Sequence, residues 1–218
     1  LVLVTLVAGV VMVEQQRRVA VAEKARAEKH FSSVRKLANS FMFDVHGEIE
    51  NLAGALKARQ TLVATALQYL DSLAGEARND PELALEVAVA YRKLAEIKGD
   101  GRAAHLGEVS SARRNTERAA ALLDAVEARE PDNINMLRER RVLALLMGRM
   151  ALEGGAASGV NETAKGAAVA ARIVRLPGAT IDDRRDLGAT LAEYGGILAV
   201  VKDDHVAAAV QLSRAVEY

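Results

Sequence analysis

From Val34 onward the apolar residues of this chain recur at helical spacing. Val34, Leu37, Phe41, Val45, Ile49 and Leu52 form one continuous stripe, at the interval that lines a single face of an α-helix. A sheet core would call for a two-residue period and many aromatic or β-branched side chains. Here aromatics make up 3% of the residues and Trp is absent. Ala, Leu, Arg and Glu dominate instead, residues that lose little side-chain freedom in a helix. The fold class that follows is all-α, with Ala-rich helices packed closely.

Helix punctuation divides the body. The spacing predicts helices over Leu56–Ala77, Pro81–Lys98, Glu108–Glu130, Asn133–Glu153, Asn161–Arg175, Asp182–Val201 and Asp204–Glu217. Asn79-Asp80-Pro81 reads as a cap followed by proline in the first turn. Gly99-Asp100-Gly101 and Gly154-Gly155 read as helix ends, and Asp182 and Asp203 lie where helix N-termini favour negative charge. The three prolines, Pro81, Pro131 and Pro177, stand at near-regular intervals, each ahead of a new helix pair. Helix pairs at a near-regular period predict an α-solenoid over residues 56–218, with an irregular helical bundle as the alternative. Its small residues fit that reading. Gly148, Gly196, Ala208 and Ala215 are expected where helices cross, and Gly155 at a hairpin turn; Ala112, Thr116 and Ala119 fit the second helix of an earlier repeat. Such positions are small because backbones approach closely there. The glycine-containing stretches Lys98–Leu106 and Gly154–Val160 are expected as inserts within hairpins.

The N-terminal part has a different character. Leu1 to Val13, LVLVTLVAGVVMV, carries no charge. At about 1.5 Å per residue it would be about 20 Å long against a bilayer core of about 30 Å. It is read as the C-terminal half of a transmembrane helix (residues 1–13), with a buried core helix or a signal-peptide core as the alternatives, and Leu1 rather than Met at the start is taken as the mark of a longer or processed product. Residues 14–55 are then a charged juxtamembrane helix leaving the membrane, supported by pairs such as Glu23 with Arg26.

Composition removes several classes of function. Lys plus Arg equals Asp plus Glu, 29 each. Nucleic-acid binding needs a surplus of positive charge to neutralise phosphates. There is no cysteine, which excludes disulfides, thiolate metal sites and Cys nucleophiles. The four histidines, His30, His46, His105 and His205, include no pair at the i,i+4 spacing of a helical metal site. No cofactor motif and no G-x-S-x-G elbow is present. Asp182-Asp183 and Asp203-Asp204 are accounted for by capping. Arginines cluster at Arg113-Arg114, at Arg138 with Arg140-Arg141, and at Arg184-Arg185. Arg138, Arg141, Arg184 and Arg185 are candidates for a groove that holds an acidic peptide or carboxylate; the competing expectation is a solvated face paired with the many glutamates.

The stretch VRKLANSFMFDVHGEIENL (Val34–Leu52), followed by ALQYLDSLAGEARNDPELALEVAVAYRKLAEIKGD (Ala66–Asp100), resembles one bacterial family: membrane-anchored serine/threonine protein kinases with a C-terminal tetratricopeptide region. HLGEVSSA (His105–Ala112) and RRDLGATLAEYGGILAVVKDD (Arg184–Asp204) are similar to later parts of that region. The resemblance implies a single-pass protein of the bacterial inner membrane, with an extracytoplasmic helical-repeat body and a kinase domain upstream of the membrane helix. The positive excess just after residue 13 runs against that orientation, since positive flanks usually face the cytoplasm. The chain itself has no G-x-G-x-x-G loop, H-R-D, D-F-G or A-P-E, the groups that position phosphates and magnesium in kinases. The expected function is a non-catalytic protein-interaction or sensory module, acting on a protein or peptide partner or by homodimerisation through Val34–Leu52. The alternative is a passive helical spacer.

Overall fold

The structure is a computed structural model, and it describes residues 14–18, 56–77, 80–99 and 109–218. The apolar run Leu1–Val13, the stripe Val34–Leu52, the stretch 100–108 and three of the four histidines lie outside the described residues. The chain divides into two compact units, Leu1–Leu62 and Val63–Tyr218. In the first, Glu14 to Arg18 are helical, with Arg18 Nε 3.3 Å from Glu14 Oε1 one turn back. Among the described residues no helix is long and apolar enough to cross a membrane.

Every regular element among the described residues is a helix. After the helical residues 14–18 they are, in chain order, α1 (Leu56–Glu76), α2 (Pro81–Gly99), α3 (Val109–Glu127), α4 (Ile134–Glu153), α5 (Ser158–Ile173), α6 (Ile181–Val201) and α7 (His205–Ala215). Within the second unit α2 packs chiefly on α3, α4 on α5 and α6 on α7; α3 also meets α4, α5 meets α6, and α2 touches α4. The connections Gly154–Ala157 and Lys202–Asp204 are short, which makes the helices they join antiparallel neighbours.

Local chemistry sets the starts. Asp80 Oδ1 accepts from the amides of Glu82 and Leu83, with Pro81 at the first helical position, where a missing N–H costs nothing. Asn133 accepts from the amides of Asn135 and Met136. Thr180 and Asp183 form a reciprocal capping box. Asp204 accepts from the amide of Ala207. Each such cap is worth about 1 kcal/mol. α4 ends at Gly154, and the next residue turns the chain back: Gly155 has φ 75°, which costs a residue without Cβ nothing.

Three hairpins share a register counted from their caps. Ala95, Gly148 and Gly195 stand at the same distance beyond Asp80, Asn133 and Thr180, and so do the acids Glu86, Glu139 and Asp186. The small residues are where paired helices touch. Ala95 clusters with Ala112, Leu146 and Met150. A Cβ on Gly148 would stand 2.6 Å from Thr163 Oγ1 and 3.1 Å from Gly159 O, and one on Gly159 would stand 2.5 Å from Gly148 O. A Cβ on Gly195 would meet Leu212 Cγ at 2.9 Å and Ala208 O at 3.1 Å. The crossing glycine of the last hairpin is therefore Gly195. Gly196, its expected counterpart, faces open space, with nothing within 4 Å of an added Cβ.

Gly148 and Ala208 occupy the expected crossings, Ala208 being buried beside Val160 and Leu198. Ala215 packs against the cluster of Ala167, Ala170, Leu187 and Leu191. Around these contacts Tyr91, Leu94, Leu123, Leu146, Leu187 and Leu191 are almost wholly buried, and each large side chain so buried stabilises the fold by about 1.5–3 kcal/mol.

Candidate functional site

The first helices of the three hairpins, α2, α4 and α6, border a cleft of about 540 Å³. Its apolar part is Leu85, Val89 and Val142; its polar part includes Arg138, Arg141, Asp182, Asp183 and Asp186. The capping box of α6 fixes Asp183, whose Oδ2 accepts from Thr180 N at 2.7 Å and Thr180 Oγ1 at 2.9 Å. The same carboxylate takes a two-pronged bond from Arg138, with Nε to Oδ1 at 2.8 Å and Nη2 to Oδ2 at 2.7 Å. That bond, helped by Thr180, holds the Asp183 carboxyl well below the usual carboxylate range although burial opposes it. Arg138 Nη1 also reaches Asn135 Oδ1 at 3.1 Å. Arg141 Nη2 donates to Asp186 Oδ2 at 2.5 Å. At the back, Arg92 is bonded to Glu139 and to Glu96. Burial pulls the Arg92 guanidinium down, but these carboxylates more than offset it and its pKa is raised.

These pairs obey a period. Arg92 and Glu139 are 47 residues apart, Arg138 and Asp183 are 45 apart, and so are Arg141 and Asp186. Asp71 on α1 and Arg118 on α3 are 47 apart, and Glu127 on α3 and Arg172 on α5 are 45 apart. Ionic ties thus join the first helices of neighbouring hairpins, and join α1 to α3 and α3 to α5.

Of the four candidate arginines, the structure brings Arg138 and Arg141 together in the cleft, with their guanidiniums engaged by the chain's own carboxylates. Arg184 is exposed, and Arg185 is an exposed side chain 3.2 Å from Asp182. Arg113 and Arg140 are paired as well: Arg113 Nε lies 3.3 Å from Glu117 Oε1 within α3, and Arg140 Nη2 lies 2.7 Å from Asp124 Oδ1 of α3. Sequence reasoning passed over Arg92, Glu139 and Asp186. Their signal was the acid at a constant distance from each cap. His205 sits at the surface, 3.0 Å from Asp203. Among the described residues no group of three or more His, Asp or Glu side chains is placed to hold a metal ion.

A second cleft of about 400 Å³ lies between the C-terminal halves of α4 and α6, lined by Arg149, Leu152, Glu193, Gly196 and Val200 among others. Chemically, the face formed by α2, α4 and α6 offers apolar contact and fixed charges of both signs. It is suited to holding a chain segment rather than a single small ion. No family model, curated protein or solved structure matches the chain.

Proposed function

We propose that residues 56–218 form a tetratricopeptide-like stack of helical hairpins that works as a non-catalytic protein-interaction module, with the cleft on α2, α4 and α6 as its binding face. The observation that carries this reading is the shared register of caps, crossings and ionic ties over three successive hairpins. Repeats stacked in register present their first helices side by side, and such rows are the surfaces on which helical-repeat proteins hold partners. The occupant is a protein or peptide segment that places an apolar side chain on Leu85, Val89 and Val142 and hydrogen-bond donors toward Asp182 and Asp186. The resemblance of Val34–Leu52 and Ala66–Asp100 to membrane-anchored serine/threonine kinases supports a receptor context for the module: a bacterial inner-membrane protein whose helical body reports on a partner.

One observation favours a passive spacer instead. Arg138 and Arg141 already tie two hairpins together, as a rigid rod would require. The two readings separate in a cell producing the intact protein with Val89→Asp and Val142→Asp. The interaction reading expects this variant to behave like one lacking residues 56–218, while its thermal midpoint stays within about 4 °C of the parent, about 1–2 kcal/mol for a domain of this size. Wild-type behaviour would leave the spacer.

A further inference from the structure

The cleft on α2, α4 and α6 carries a charge opposite to the one its arginines suggest. Arg138 and Arg141 line it beside four carboxylates, Glu139, Asp182, Asp183 and Asp186, so the lining has an excess of two negative charges. Arg92 and Glu96, bonded to each other behind Glu139, add no net charge. The excess also faces the water. The side chains of Asp182 and Asp186 are 79% and 47% exposed, those of Arg138 and Arg141 34% and 13%. The guanidiniums are committed inside the molecule: Arg138 through Nε and Nη2 to Asp183 and through Nη1 to Asn135, Arg141 through Nη2 to Asp186. A carboxylate from outside could take Arg138 only by displacing Asp183, which would leave that buried acid charged and unpaired. A cation meets no such obstacle. Asp182 is tied to Arg185 by an exposed i,i+3 pair at 3.2 Å, weak enough to exchange. Asp186 receives Arg141 on Oδ2, and a carboxylate offers about four acceptor sites in all.

Resting on the interaction reading, we infer that the cleft takes an extended, basic segment of a protein partner, with an aliphatic side chain on Leu85, Val89 and Val142 and a Lys or Arg between Asp182 and Asp186. The apolar and acidic halves lie on different helices. Val89 and Val142 hold the same position after the caps Asp80 and Asn133, so they stand in register on α2 and α4. Asp182 and Asp186 are one turn apart on the same side of α6, and α6 is the next helix over from Val142. Packed helices lie about 8–10 Å apart. An extended chain crosses that distance in about three residues, at about 3.3–3.6 Å each. The segment therefore runs across the helices and carries its aliphatic and basic residues three positions apart. Clefts lined by one sign of charge focus their field on an incoming opposite charge, so the excess acid sets the choice of partner and the valines anchor it.

Two fluorescein-labelled peptides test this, one built on a repeated Leu-Ser-Ser-Lys unit and the other on Leu-Ser-Ser-Glu. Each is titrated with the full chain in non-ionic detergent and followed by fluorescence anisotropy. The lysine peptide is expected to bind at least about tenfold more tightly than the glutamate peptide, and the preference is expected to shrink as salt rises from about 0.05 M to about 0.5 M. Asp182→Asn removes an exposed carboxylate tied to its own helix; it should cut the preference severalfold and leave the helical circular dichroism unchanged. Equal binding of the two peptides, tighter binding of the glutamate peptide, or a preference indifferent to Asp182→Asn would each overturn the proposal. If neither peptide binds while a photoreactive residue replacing Val142 still captures a partner in the cell, the basic segment is ruled out and the interaction reading stands. If neither binds and nothing is captured, both are overturned.

Discussion

Gly195 and Gly196 are neighbours on one helix, yet the structure gives them opposite roles, and substituting each by alanine separates those roles. Both variants gain the same helix propensity, about 1 kcal/mol, so their difference isolates the contact. At Gly196 an added Cβ meets nothing within 4 Å, and the chain should gain about 0.5–1 kcal/mol. At Gly195 the Cβ would come to 2.9 Å from Leu212 Cγ and 3.1 Å from Ala208 O. Leu212 is 43% exposed and can swing away. The carbonyl of Ala208 belongs to the α7 backbone and cannot move without shifting the helix. Overpacking of this kind costs about 1–3 kcal/mol, so Gly195→Ala should be between neutral and about 2 kcal/mol destabilising. With about 2–4 °C per kcal/mol for a chain of this size, the two variants should differ by about 2–12 °C in thermal midpoint, measured by circular dichroism at one protein concentration. Equal shifts, or a more stable Gly195→Ala, would refute the assignment of Gly195 to the helix crossing.

Removing the carboxylate that joins two hairpins should cost more. Asp183→Ala leaves Arg138 without its partner and deletes half of a capping box, an expected loss of about 2–4 kcal/mol in denaturant unfolding. The same carboxylate links stability to acid. Its folded pKa is depressed, so its contribution is complete above the unfolded value of about 4 and declines only as the pH falls toward the folded one. The parent should therefore lose stability between pH 5 and pH 2 more steeply than Asp183→Asn, in thermal midpoints taken across that range. At the alkaline end, burial first and the hydrogen bond to Asp71 second raise the Tyr91 phenol above its ordinary pKa. The unfolded chain releases this proton above about pH 10 while the folded chain keeps it. Tyr91→Phe should consequently flatten the fall in stability above pH 10, and the native parent and native Tyr91→Phe should show the same phenolate absorbance near pH 11, since the Tyr91 phenol keeps its proton there.

Much of the helical framework was legible because caps and breaks are local chemistry. Asp80-Pro81, Asp204 and the glycines after Glu153 mark boundaries without reference to distant residues. Gly159 was harder to place. A glycine near a turn reads as a breaker, so the helix was expected from Asn161; the structure starts α5 at Ser158 and uses Gly159 inside it, because its backbone touches Gly148. Adjacent glycines at 195 and 196 point about 100° apart around a helix, and abundance of small residues could not choose between them. The register from Thr180 does. The ionic ties were not legible as pairs, since each joins helices some 45 residues apart whose contact depends on tertiary packing. Arg138 and Arg141 fitted either a ligand groove or a face paired with acids, and their sequence did not name the partners: Asp183 reads as a cap and Asp186 as part of the next helix.

Engagement of a partner by the face of α2, α4 and α6 can be read out by photo-cross-linking in the cell. A photoreactive residue replacing Val142, in the cleft, should yield a discrete adduct that is absent when the same residue replaces Glu117 on α3 and that is lost on introducing Val89→Asp. The same adducts from both positions, or none from Val142, would contradict the claim.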